Sequence, residues 1–181
     1  MKATDLLIEQ HREVFRLFEA IEKEEDEEEK KEMFAELAAN IVAHDAIERE
    51  IFYPACEQAM GLNDDLGEAL VEHGVAEFSL YQANEALDKE DFDFKCTVLK
   101  EVLEHHIEEE EKEFFPKVQK ALGDDTLEVL GDEMERRFEA ALEEDYQQPL
   151  YENLRQVLAG ALKPGKAPAR SRKGEEARKS A

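Results

Sequence analysis

Cysteine, glycine and proline are scarce in this chain of 181 residues, at 2, 8 and 5 copies. Cys56 and Cys96 stand far apart in apolar helical surroundings and match no thiolate metal spacing, which leaves them as reduced, buried thiols and points to a cytoplasmic protein. With so little glycine and proline beside 39% charged residues, the chain is expected to form long helices with charged outer faces. Long apolar runs are missing as well. No stretch approaches the roughly 20 residues of a membrane span, and the N-terminus, MKATDLLIEQHREVF, holds no continuous apolar region of an export signal, so no membrane contact is expected. Basic residues are outnumbered 23 to 47, giving a net charge of −24; a nucleic acid would approach against a repulsive field, and that partner class is excluded. The acid is unevenly spread, because residues 163–181 hold seven Lys or Arg and two Glu, a net of +5 that leaves −29 on residues 1–162.

The length suits one domain with a substantial core. Helical segments are expected from Asp5 to Glu24, from Glu28 to Met60 with Gly61 as its stop, from after Asn63-Asp64-Asp65 to Leu87, and from Asp91 to Leu122 with Gly123 as its stop. In the third, Asp65 with Glu68 reads as a capping box. A fifth segment starts at Asp124 or Asp125 and reaches Glu144. The expected organisation is a helical bundle over 1–145 with its core in 5–122, a short amphipathic helix over 146–162, and a disordered basic tail over 163–181. The first four segments form the body in this reading, and the later helices an appendage.

The strongest signal is an internal repeat at a constant offset. His11 maps to His73, His44 to His106, Glu48 to Glu110, Phe52 to Phe114 and Pro54 to Pro116. The two copies read HDAIEREIFYP and HIEEEEKEFFP, a pattern H-x-x-x-E-x-x-x-F-[YF]-P. Because the chain has only five histidines, two pairs at one offset are a pattern and not an accident. Two related helical hairpins stacked into an all-α, up-down-up-down four-helix bundle follow from it. Pro54 and Pro116 each remove a helical hydrogen bond and are expected to kink their helices just beyond the repeated glutamates.

Each helix carries an apolar stripe at three- and four-residue steps, and in each the stripe is interrupted by a histidine: His11 between Leu7 and Val14, His44 after Ile41, His73 after Leu70, His106 after Leu103. Three helices add a glutamate four residues later, Glu48, Glu77 and Glu110, and an i, i+4 pair shares one helix face. Burying several carboxylates together is prohibitive unless protons or metal ions compensate them. Imidazole with carboxylate is a ligand set for iron, manganese or zinc. Counting charges and coordination positions, four histidines, Glu48 and Glu110 as bridges, Glu77 as a seventh ligand and one bridging oxygen satisfy two six-coordinate ions and leave one position open. For Glu77, whose repeat mate is Phe15, a solvated glutamate is the alternative, and His105 is expected at the surface and not in the site.

This pattern resembles the hemerythrin family, and within it the HHE cation-binding domain, on HREVF around His11, HDAIEREIFYP, Glu72-His73 and HIEEEEKEFFP. The resemblance spans about residues 5–122. It implies a non-haem di-iron centre, oxo- or hydroxo-bridged, in which Glu48 and Glu110 bridge, His11 and His44 bind one iron and His73 and His106 the other. The oxygen carriers of the family have a second histidine where this chain has Glu77, and an Asp five residues after the last histidine where it has Glu110 at four. Those departures disfavour simple oxygen carriage and favour a protein that binds or reacts with dioxygen, peroxide or nitric oxide as a sensor, a scavenger or an iron handler. A peroxidase- or catalase-like di-iron enzyme is the second expectation, and a metal-free helical module docking through the C-terminal helices the third.

Overall fold

A computed structural model describes residues 1–160 of the chain, all of whose regular elements are helical. They run α1 Ala3–Lys23, α2 Glu27–Ile47, a π-turn Glu48–Phe52, α3 Tyr53–Met60, α4 Asp64–Asn84, α5 Phe92–Glu109, a second π-turn Glu110–Phe114, α6 Phe115–Leu122, α7 Asp124–Leu142 and α8 Gln147–Leu158. Each π-turn joins the helices around it into one rod, so α1, α2–α3, α4 and α5–α6 are the four rods of the expected bundle. The basic segment 163–181, and the last two residues of the expected amphipathic helix, lie outside the described residues.

Local chemistry sets the helix ends. Asp26 caps α2, its carboxylate accepting from the backbone N–H of Glu28 and Glu29 at 3.0 Å. At α4 the cap is Asn63, which accepts from Leu66 N–H at 3.0 Å, and not the capping box expected at Asp65, which lies inside the first turn. Gly61 and its repeat mate Gly123 adopt φ of +73° and +72°, a conformation that a side chain would strain, and they end α3 and α6 at equivalent places.

The prolines act differently from a simple kink. Pro54 and Pro116 have no N–H to give, and the ladder ahead of each widens by one residue, so that Tyr53 N–H bonds Glu48 O and Phe115 N–H bonds Glu110 O. The extra residue resets the helical phase. Phe52 and Tyr53, and likewise Phe114 and Phe115, are consecutive residues that are all buried across the widened ladder. Both π-turns begin on the repeated glutamates.

The core forms two apolar clusters. Toward one end lie Phe18, Ile21, Phe34, Leu37, Leu80, Leu99 and Leu103; toward the other lie Leu7, Ile47, Phe52, Tyr53, Leu66, Phe114 and Phe115. The later helices belong to these clusters and are not an appendage. Leu127 and Met134 of α7 are fully buried in the second cluster, and Leu150 of α8 is fully buried in the first. Gly131 lets α7 approach the backbone of Met1 and Ala3 so closely that a Cβ there would collide with the Met1 carbonyl oxygen. No described helix is long and apolar enough to cross a membrane.

Candidate metal centre

His11, Glu48, His73, His106 and Glu110 are all buried, and His44 is nearly so. Their donor atoms converge in two groups, one of His11, His44, Glu48 and Glu110, the other of Glu48, His73 and His106, with Glu48 common to both. Glu48 Oε2 stands 3.2 Å from both His44 Nε2 and His73 Nε2, one histidine from each hairpin. Glu110 Oε2 stands 3.6 Å from His11 Nε2 and 3.5 Å from His106 Nε2, again one from each hairpin. The repeat thus builds a centre in which each carboxylate faces both halves of the molecule.

What aims the imidazoles is a set of acceptors behind them. Nδ1 of His11 meets Glu111 Oε1 at 2.9 Å, that of His44 meets Gln10 Oε1 at 2.8 Å, that of His73 meets Asp45 Oδ1 at 2.7 Å and that of His106 meets Glu72 Oε2 at 2.9 Å. Carboxylate and amide oxygens only accept, so each Nδ1 carries a proton and each Nε2 is turned inward. This outer hydrogen bond is the arrangement by which proteins hold metal-binding histidines. None of the four acceptors was among the expected site residues. Gln10 and Glu72 stand at the same offset as the repeated histidines, each one residue ahead of His11 or His73, and that was the signal that could have found them.

Tyr53 was missed too. Its buried hydroxyl donates to Glu110 Oε1 at 2.9 Å and lies 2.7 Å from His73 Nε2. Burial and the nearby charges of Glu110 and Glu48 push its pKa well up, so it remains a phenol.

Glu77 is the one expected residue whose carboxylate the structure leaves outside both groups. It is buried, at 5% exposure, which also excludes a solvated glutamate. Its Oε1 turns to Arg49 Nη2 at 3.5 Å, and neither oxygen has a hydrogen-bond partner. Arg49 in turn holds Asp45 through Nε at 3.0 Å, and Asn153 of α8 donates to the same Asp45 oxygen at 3.1 Å. Burial and the charge of Asp45 raise the pKa of Glu77 to about 8, with Arg49 opposing.

The electrostatics separate the groups. Burial lowers the pKa of His11 to about 4, so it is a neutral imidazole at pH 7. For His73, burial is outweighed by the hydrogen bond to Asp45 and by the Glu48 carboxylate 3.2 Å from its Nε2, which hold a second proton on the ring well above the usual range. Burial and the charge of Glu48 raise Glu110 to about 7. Glu48 stays well below the ordinary range despite its burial, because His44 and His73 flank it. Both oxygens of Glu48, Glu110 Oε2 and His11 Nε2 have no hydrogen-bond partner among the described residues. Buried polar atoms in that condition cost on the order of 1–3 kcal/mol each, more when charged. A cation among them answers all four at once, and the nitrogen and carboxylate donors fit a hard or borderline metal.

Beside the centre, toward the first core cluster, is a cavity of about 40 Å³ walled by Val14, Ile41, Ala76, Leu103 and Ile107, the four histidines, Asp45 and Glu77. It has room for a molecule of two or three heavy atoms and none for an organic substrate.

The family described as Hemerythrin HHE cation binding domain matches residues 2–118. The crystal structure of a hemerythrin HHE cation binding domain-containing protein from Mycobacterium kansasii is similar at 26% identity and a TM-score of 0.71, covering 90% of this chain and 99% of that one. A comparison with curated proteins finds no match.

Proposed function

From the premise that the chain belongs to the hemerythrin HHE cation-binding domain family, we propose that it is a non-haem di-iron protein acting on a small oxidant, whether dioxygen, peroxide or nitric oxide. His11, His44, Glu48, His73, His106 and Glu110 are its metal ligands, with Glu48 and Glu110 shared between the ions. The carrying observation is the orientation of the histidines: four Nδ1 atoms engaged outward, four Nε2 atoms facing two buried carboxylates, of which both Glu48 oxygens and Glu110 Oε2 have no hydrogen-bond partner among the described residues. Iron bound there would supply the one-electron chemistry that no side chain of this set offers.

The chain's own groups decide what reaches the ions. Only a very small molecule fits the adjoining cavity, and its apolar walls favour an uncharged one. Glu77 lies on that wall and, with a pKa of about 8, is a neutral acid at pH 7 able to give a hydrogen bond or a proton to an occupant. We therefore assign it to the small-molecule side of the centre and not to the ligand set. This acid is the specific feature that favours the second reading, turnover of peroxide, since cleaving an O–O bond needs protons. Against the docking-module reading, Leu127, Met134, Leu150 and Leu154 of α7 and α8 are buried within the molecule, which leaves Val129, Leu142, Tyr151 and Leu158 as the exposed apolar residues of these helices. Free, buried Cys56 and Cys96 suit a reducing compartment, and a cytoplasmic location is part of the proposal.

The test is to load the protein with ferrous iron and expose it to oxygen, peroxide and nitric oxide in turn. A di-iron reading expects charge-transfer absorption to appear with at least one of them. Protein that takes up iron yet stays colourless and unreactive with all three contradicts it. Sustained peroxide consumption separates the enzyme from the sensor or store.

A further inference from the structure

One layer outside the inner centre, the same two helices carry its outline a second time. On α5, His105 and Glu109 precede His106 and Glu110 by one residue each; on α4, Glu72 precedes His73. A step of one residue rotates a helical pair by about 100°. The inner trio faces the core, and the outer trio therefore emerges at the seam between α4 and α5. There His105 Nε2 stands 3.4 Å from Glu109 Oε1 and 3.6 Å from Glu72 Oε1. Both distances exceed a good hydrogen bond. They match the separation of two donors on one tetrahedral ion, about 3.3–3.4 Å for bonds of about 2.0–2.1 Å. The other hairpin has no counterpart, since Ala43 and Ile47 stand where His105 and Glu109 do.

A second feature, a cleft that reaches the inner carboxylate Glu110, joins this trio to the interior. Glu72 and Glu109 flank this cleft of about 60 Å³, whose wall includes Glu110, 2% exposed and with Oε2 lacking a hydrogen-bond partner among the described residues. The remaining carboxylates along the cleft are Asp65, Glu68 and Glu113, of which Asp65 is already paired with Lys117 at 2.8 Å. Glu72 spans both layers: Oε1 faces His105, and Oε2 accepts from His106 Nδ1 at 2.9 Å.

We propose that Glu72, His105 and Glu109 form an outer divalent-cation site through which metal passes along the cleft to Glu110 and the inner centre. The passage half of this proposal rests on the inner six residues being a metal centre; the outer site itself does not. Nothing is oxidised in the transfer. A hydrated divalent ion exchanges water for the imidazole and two carboxylates, then exchanges these for Glu110. The acidic cleft raises the local cation concentration and favours capture.

The experiment titrates the full-length, metal-free chain with ferrous ion under nitrogen, by calorimetry for stoichiometry and by stopped flow for the rate of filling. It compares wild type with the double variant His105→Ala, Glu109→Gln. Both side chains are at the surface, with 67% and 44% exposure, so the variant keeps its fold, which far-UV circular dichroism verifies. Wild type should show a tight pair plus one weaker ion. The variant should lose the weaker ion, keep the tight pair, and fill it about tenfold more slowly. Identical isotherms and rates in the two proteins would overturn the proposal and leave the inner centre standing. Loss of the weaker ion with an unchanged filling rate would overturn the passage. A weaker ion that is present in wild type without any tight pair, and absent from the variant, would uphold the outer site and sink the di-iron reading instead.

Discussion

Gln10 and Glu72 occupy equivalent positions in the two copies of the repeat and perform the same task on opposite hairpins: Gln10 Oε1 holds His44 Nδ1 at 2.8 Å, and Glu72 Oε2 holds His106 Nδ1 at 2.9 Å. Each reaches from the helix of one histidine to the histidine of the neighbouring rod. The repeat therefore extends beyond the ligands to the groups that aim them, which packing alone does not require.

Gln10→Leu keeps the buried volume and removes the acceptor. Without it the His44 ring is free to turn or to exchange tautomers, and iron affinity should fall about 10- to 100-fold, while Gln10→Glu should bind at least as tightly as wild type. Competition with a chelator of known affinity measures both. Unchanged affinity in Gln10→Leu would show that His44 is aimed by something else.

Metal uptake should release protons, and more of them at pH 6.5 than at pH 8.5. His73 holds its proton well above the usual imidazole range, and Glu110 titrates at about 7; both must surrender protons to bind a cation. At the higher pH Glu110 has already lost its proton. Calorimetry in buffers of different ionisation enthalpy counts the protons, and equal release at the two values would contradict this ordering of the site.

Glu77→Gln separates a neutral wall acid from an ionised ligand. In the metal-free protein the folded-state pKa of Glu77 is raised, to about 8, above an unfolded value near 4.5. The folded state binds the extra proton, so the stabilisation is fully present below the unfolded value and is lost as pH rises through 8. Glutamine imitates the protonated form. Variant and wild type should melt together only below about pH 4.5; the variant should be more stable by about 2 kcal/mol at pH 6 and by on the order of 4–5 kcal/mol at pH 9, with each kcal/mol worth about 2–4 °C. Iron content should be the same in both. A variant that loses iron would restore Glu77 to the ligand set.

Much of the candidate site was legible because its proposed ligands obey two periodicities at once, the short helical one that turns them inward and the long one that duplicates them from hairpin to hairpin. Asp45 and Glu111 obey neither. Their repeat mates are Ile107 and Arg49, and in a chain with 47 acidic residues they look like solvated surface groups until the rods are packed together. Tyr53 stands where the second copy has Phe115, and nothing in one dimension says that its hydroxyl reaches Glu110 across 57 positions of chain. Glu77 fell on the right stripe, but a stripe fixes only the side of the helix a residue occupies. Arg49, one residue after Glu48, decides where the Glu77 carboxylate points. The π-turns were readable only in part: proline forecasts a disturbed ladder, whereas the bonds from Tyr53 N–H to Glu48 O and from Phe115 N–H to Glu110 O show that the ladder is widened by one residue. The place of α7 depended on Gly131, whose missing side chain reads as a neutral lapse in a helix until the N-terminus is seen lying against it.

The most direct test of the centre is the number of irons the chain retains. Metal-free protein is loaded with ferrous iron under nitrogen, desalted to remove weakly held ions, and analysed for iron and protein together, with its melting temperature before and after. On the proposed reading, six ligands in two groups that share Glu48 hold two irons per chain, and a clear rise in melting temperature is expected, because ions held only by the folded state stabilise it. One iron per chain, or none with an unchanged melting temperature, would contradict a two-metal centre.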